Sequence, residues 1–148
     1  MSSTYEGFSA DERAAMQEHA KEMKKAARRG GSAADKAEAA KQDLLAKIAE
    51  MDGTDRVMAE RVHEIVTTTA PELAPKLWYG QPAYAKAGKV VCFFRSGQAD
   101  KERYSTFGFS TEANLDDADG IWPTSFALTE LTEAGEAAIR ELVRKAVS

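Results

Sequence analysis

Apolar positions recur at helical spacing over the first half of the chain and at strand spacing over most of the second. Ser9 followed by Glu12 is a capping-box pattern, in which the hydroxyl takes a backbone N–H and the carboxylate reaches back. A helix is predicted from there to about Arg29, with Met16, Ala20, Met23 and Ala27 on one face. Lys24, Lys25, Arg28 and Arg29 crowd its last turn, where cations suit the helix dipole, and Gly30-Gly31 stops it. Ser32 is the predicted N-cap of a second helix, with Asp35 in its first turn and Leu44, Ile48 and Met51 as its stripe. Both stripes are thin, which predicts a helical hairpin or an arm laid over a main domain. Asp52-Gly53-Thr54 is a break. Thr54 is expected to cap a third helix, about Asp55 to Thr69, with Met58, Val62, Ile65, Val66 and Thr69 on one side. Pro71 ends it, and Pro71 and Pro75 frame a short turn.

From Leu77 the period changes to two. Leu77 to Tyr79 reads as a short extended piece, punctuated by Gly80 and Pro82. Ala83 to Lys86 and Lys89 to Arg95 face each other across Ala87-Gly88 as a hairpin. Val90 to Phe94 is apolar on both faces, the mark of a central strand. Arg103 to Phe109 and Ser125 to Leu128 are further strands, separated by the acidic loop Ser110 to Gly120. Thr132 caps a final helix with Ile139, Leu142, Val143 and Ala146 as its stripe. Strands bracketed by helices predict an α+β fold, with a mainly antiparallel sheet of about four to five strands packed with helices. Residues 1–51 read as a helical extension and residues 52–148 as the α+β domain.

Composition changes this picture in one respect. Of the 12 aromatic residues, 10 lie between Trp78 and Phe126, with only Tyr5 and Phe8 elsewhere. That third of the chain concentrates either the core or a pocket. The 148 residues suffice to bury about two thirds of the unfolded surface, so no covalent staple is needed. The single cysteine, Cys92, excludes an internal disulfide and any zinc site built on several thiolates. A net charge of −4 leaves no electrostatic footprint for sequence-independent nucleic-acid binding. The basic run Lys21 to Arg29 reads as a solvated helix face. No segment approaches the ~20 apolar residues of a membrane span, and Met1 to Ala10 lacks a signal pattern, so a cytoplasmic protein is expected.

Nucleophilic catalysis finds little support. The two histidines, His19 and His63, fall on the N-terminal helices, and Cys92 lies in an apolar strand where a thiol is inert. No phosphate-binding glycine loop is present. The densest candidate is Lys76 to Tyr84, where three large rings, two backbone punctuators and a lysine fall together. Trp and Tyr combine a ring face with a polar tip, which suits a small-molecule pocket as well as a core. The expected binding site is therefore Lys76, Trp78, Tyr79 and Tyr84, joined across the sheet by Tyr104 and Trp122. The rings would supply apolar area, and Lys76 and the tyrosine hydroxyls would orient a polar group. Its ligand would be a small molecule or a protein partner, with no reaction catalysed. An enzyme using Lys76 or Tyr79 in acid–base work is the weakest reading, since no partner group is identifiable. A second candidate is the acidic loop, whose Glu112, Asp116, Asp117 and Asp119 supply oxygen ligands for iron or another cation. The bland reading of that loop is a solvated turn. Self-association through the N-terminal helices is a further expectation.

The same residues carry a family resemblance. The stretch Ala70-Pro71-Glu72-Leu73 to Tyr84, with its Trp-Tyr-Gly-x-Pro-Ala-Tyr core, resembles the YdhG-like proteins, a bacterial domain-of-unknown-function family. The likeness continues through Gly88 to Phe94, Tyr104 to Phe109, Asn114-Leu115-Asp116-Asp117 and Trp122-Pro123, and so covers about Asp52 to Ser148. The helical first third resembles the extended N-terminus of an actinobacterial-type subgroup. The resemblance implies a compact α+β domain with an antiparallel sheet. Some relatives are described as frataxin-like iron chaperones, which implies intracellular iron binding as the alternative function. It brings no catalytic residues.

Overall fold

A computed structural model describes residues 7–148, and Tyr5 lies outside them. Helix α1 (Ala10–Arg28) opens on the expected capping box between Ser9 and Glu12. Helix α2 (Ala33–Glu50) opens on a second one, in which Ser32 and Asp35 exchange the same two bonds. Helix α3 (Gly53–Thr69) starts earlier than expected. Asp52, not Thr54, is its N-cap, because Gly53 at φ +52° turns the chain there and the Arg56 N–H already bonds the Asp52 carbonyl.

The strands β1 (Ala74–Trp78), β2 (Gln81–Lys86), β3 (Lys89–Arg95), β4 (Ser105–Phe109) and β5 (Ser125–Leu128) precede helix α4 (Glu133–Ala146). They form one antiparallel meander in chain order, with β3 at its centre as its two-faced apolar sequence requires. The fold is α+β. Pro75 lies within β1 rather than in a turn, which an edge strand tolerates because its missing N–H faces no neighbour. Fourth-strand pairing begins at Ser105, two residues later than the sequence suggests.

Helices α2, α3 and α4 pack on one face of the sheet. Leu44 and Ile48 of α2, Val62 and Val66 of α3 and Val143 of α4 meet Tyr84, Cys92, Phe94 and Phe107 there in one buried cluster. Helix α1 stands apart, with no buried residue among those described. Of the stripe expected to bury it, Met16 is half-buried but Ala20, Met23 and Ala27 are exposed, Met23 at 61%. No helix of the described residues is long and apolar enough to cross a membrane.

A cleft roofed by the first helix

The site is built on the β1–β2 turn. Tyr79 and Gly80 are its two central residues, at φ +54° and +75°, so the turn is of the type I′ hairpin kind. Positive φ is costly for tyrosine and points two successive N–H groups outward. Glu22 of α1 takes both. Its Oε1 accepts from the Tyr79 N–H at 2.9 Å and its Oε2 from the Gly80 N–H at 2.5 Å. One turn earlier on α1, the His19 ring stacks on the Tyr79 ring at 4.1 Å and 14°. A Cβ on Gly80 would stand 2.9 Å from the Glu18 Cγ, so the helix rests directly on the glycine. Thus α1 is docked by Glu18, His19 and Glu22 rather than by its apolar residues.

A second tether lies at the other end of α1. Asp43 of α2 accepts from the Lys25 ammonium at 3.0 Å and also from the Arg29 guanidinium. Partial desolvation pushes the Asp43 carboxyl up, but the bonds from Arg29 and Lys25 outweigh it and hold the group below the usual carboxylate range.

Under the N-terminal half of α1, on the far side of the first tether from the second, lies a cleft of about 810 Å³. The first half of α1 forms its roof, the end of α2 one wall, and Trp78 to Pro82 with Phe93 to Ser96 its floor. The volume falls in the range of small-molecule sites. Trp78, half-buried, is the hub of its rings, 5.4 Å from Phe93 and edge-on to Tyr79 at 5.1 Å. The Phe93 ring reaches over Gly108, its strand partner, where a Cβ would come within 2.4 Å of the ring.

The loop at the cleft's far end is fixed from beneath by Asp55, the one buried carboxylate among the described residues. Its Oδ2 accepts from the Ser96 hydroxyl at 2.5 Å and the Gln98 N–H at 3.0 Å, and its Oδ1 accepts from the Ser105 hydroxyl at 3.0 Å. Ser105 in turn accepts the Gly97 N–H at 2.9 Å. Every polar atom of the knot has a partner, which is what makes a buried carboxylate tolerable.

The six residues expected to form one aromatic site are divided by this geometry. Trp78 and Tyr79 line the cleft. Lys76 shares the face of Trp78 by register but lies outside the lining. Tyr84 is on the opposite face and fully buried, its phenol oxygen 3.0 Å from His63 Nδ1, so it is core and closed to a ligand. Burial, with Cys92 beside it, holds the phenol well above the ordinary tyrosine range. Cys92 is itself buried, its thiol pushed up to about 12, in keeping with an inert strand cysteine. Tyr104 is exposed on the loop before β4 under the Arg103 guanidinium, and Trp122 packs against the helical core. The cleft also takes residues that sequence reasoning passed over: Phe93, Arg95, Glu18 and the end of α2.

Glu112, Asp116, Asp117 and Asp119 are all exposed. Asp117 Oδ1 accepts the Asp119 N–H at 3.2 Å, and the Glu112 N–H bonds the Ser110 hydroxyl, as in solvated turns. Among the described residues, no three His, Cys, Asp or Glu side chains gather as a group able to hold a metal ion.

Comparison with family models, with curated proteins and with solved structures finds no match.

Proposed function

We propose that this chain is a non-enzymatic cytoplasmic binding module whose ligand is a small molecule held in the cleft between α1 and the sheet. The observation that carries this reading is the placement of three rings, Trp78, Tyr79 and Phe93, on one concave surface beneath a helix held by polar contacts. Half-buried rings in a recess supply apolar area that a ligand can complete. The nearest acid–base candidates do not form a catalytic set: Tyr79 is stacked on His19, and Lys76 is outside the cleft. The likeness of Asp52 to Ser148 to the YdhG-like proteins belongs to the same proposal and is supported by the Trp-Tyr-Gly-x-Pro-Ala-Tyr motif, whose first three residues form the cleft's turn.

A fragment screen followed by amide and indole NMR shifts tests the reading. Binders are expected to move Trp78, Gly80 and Phe93 together and to lose about tenfold in affinity on Trp78→Ala, the scale of one lost aromatic contact. A screen whose hits cluster elsewhere, or are indifferent to Trp78→Ala, rejects it.

A further inference from the structure

We infer that the cleft selects an organic cation: an amine or quaternary ammonium carried on an apolar body. This rests on the cleft being the binding site and names what it takes.

The charges around the rings are mostly of one sign. Six carboxylates line the cleft, those of Asp11, Glu12, Glu18, Glu50, Asp52 and Asp100, against the cations Lys47 and Arg95. Two of the six are already engaged. Glu12 accepts the Ser9 N–H at 3.0 Å in the helix cap, and Asp100 accepts from Arg95 Nε at 2.5 Å. That second bond, with Glu102 3.7 Å from the same guanidinium, also removes Arg95 as a free anion receptor. Asp11, Glu18, Glu50 and Asp52 have no side-chain hydrogen bond or ion pair among the described residues. Among the described residues, Lys47 is the one lining cation with no ion pair.

Unengaged negative charge in a concave surface focuses a field that draws cations and repels anions. The unengaged carboxylates come from two separate stretches of chain, α1 and the end of α2 with Asp52. Spread in this way they flank a diffuse organic charge. The rings complete the match. The faces of Trp78 and Phe93 carry the negative end of the aromatic quadrupole, which attracts ammonium groups and also accepts apolar carbon. A carboxylate ligand would meet the same groups as repulsion and would have to be desolvated against them.

The test uses the full chain and three probes that share a phenyl ring: phenethylamine, the neutral phenethyl alcohol and the anionic 3-phenylpropionate. A Trp122→Phe variant leaves Trp78 as the only tryptophan fluorophore, and the Trp78 indole NMR signal of the unaltered protein gives the same readout without a substitution. At low salt and neutral pH the amine is expected to saturate both signals, with the alcohol about tenfold weaker and the acid weaker still. Glu18→Gln combined with Glu50→Gln is expected to bring the amine down to the level of the alcohol. Equal binding of alcohol and amine, a preference for the acid, or no saturation by the amine overturns the inference. Alcohol or acid binding at Trp78 as tightly as the amine would overturn this inference alone, since the cleft would still be a ligand site. Fragment hits clustering away from Trp78 would overturn both.

Discussion

At the scale of single residues, Asp55 organises more of the molecule than any other polar side chain described. It joins the start of α3 to a loop some forty residues later, and three donors converge on its two oxygens. Asp55→Ala would strand two buried serine hydroxyls and free one half-buried backbone N–H. A loss of about 3 kcal/mol is expected, since each orphaned donor forfeits a charge-assisted bond. Urea denaturation checks it, and a loss within about 0.5 kcal/mol, the level of an ordinary surface substitution, would contradict the account. Nothing in the local sequence announces this role. Asp55 reads there as an ordinary first-turn acid, and Ser96 and Ser105 as loop and strand polar residues, because the contact that unites them is long-range. Tyr84 teaches a related lesson. Trp78 and Tyr84 look like neighbours along the chain, but a two-residue turn at Tyr79-Gly80 pairs Trp78 with Gln81. Tyr84 is then three residues beyond that partner and points to the other face. Leu77 to Tyr79 has the pattern of one extended piece, which conceals the turn and with it the parity.

Elements were legible where period and punctuation agreed. The capping box at Ser9, the N-cap at Ser32, the glycine stop between the first two helices and the Ala87-Gly88 hairpin all stand where the residues put them. The docking of α1 was not legible, because amphipathic patterning assumes that the apolar side is the attached side. Here a carboxylate, an imidazole and a glycine make the attachment instead. Glu22→Gln keeps the shape but removes the charge that serves two N–H groups. It is expected to raise amide exchange along α1 by about tenfold or more while leaving exchange in α3 and β3 unchanged, because local opening is independent of global unfolding. Equal acceleration in all three elements would mean that α1 is integral to the core.

For the whole molecule, the polar ties between layers set how stability follows pH. Burial, aided by the nearby Lys41 charge, holds His63 below the ordinary imidazole range. The folded state therefore binds that proton less readily than the unfolded chain. Its contribution is complete above about pH 6.5, the unfolded value, and is lost as pH falls through the folded one. Glu136 accepts two bonds from Arg61, at 3.0 and 2.5 Å, and ties α4 to α3. The Arg61 bonds hold its carboxyl below the usual range, against a smaller opposing push from desolvation. Asp43 is lowered likewise by Arg29 and Lys25. Both carboxylates stabilise fully above the unfolded carboxylate value of about 4 and lose that contribution as acid drives them through their folded values. Urea midpoints measured from pH 8 to pH 3 are thus expected to fall in two stages. His63→Gln should abolish the upper stage and leave the lower one in place; an unchanged upper stage would assign it to another group.

The manner in which α1 is fastened also bears on time. Its grip consists of a few charged and polar contacts, and such contacts weaken with ionic strength whereas apolar burial does not. The helix is the roof of the cleft, so for the ligand site proposed above each lifting of α1 would open one side of it. On that proposal, added salt is expected to shorten the stay of a bound molecule by loosening the helix, while the apolar core beneath keeps its hold.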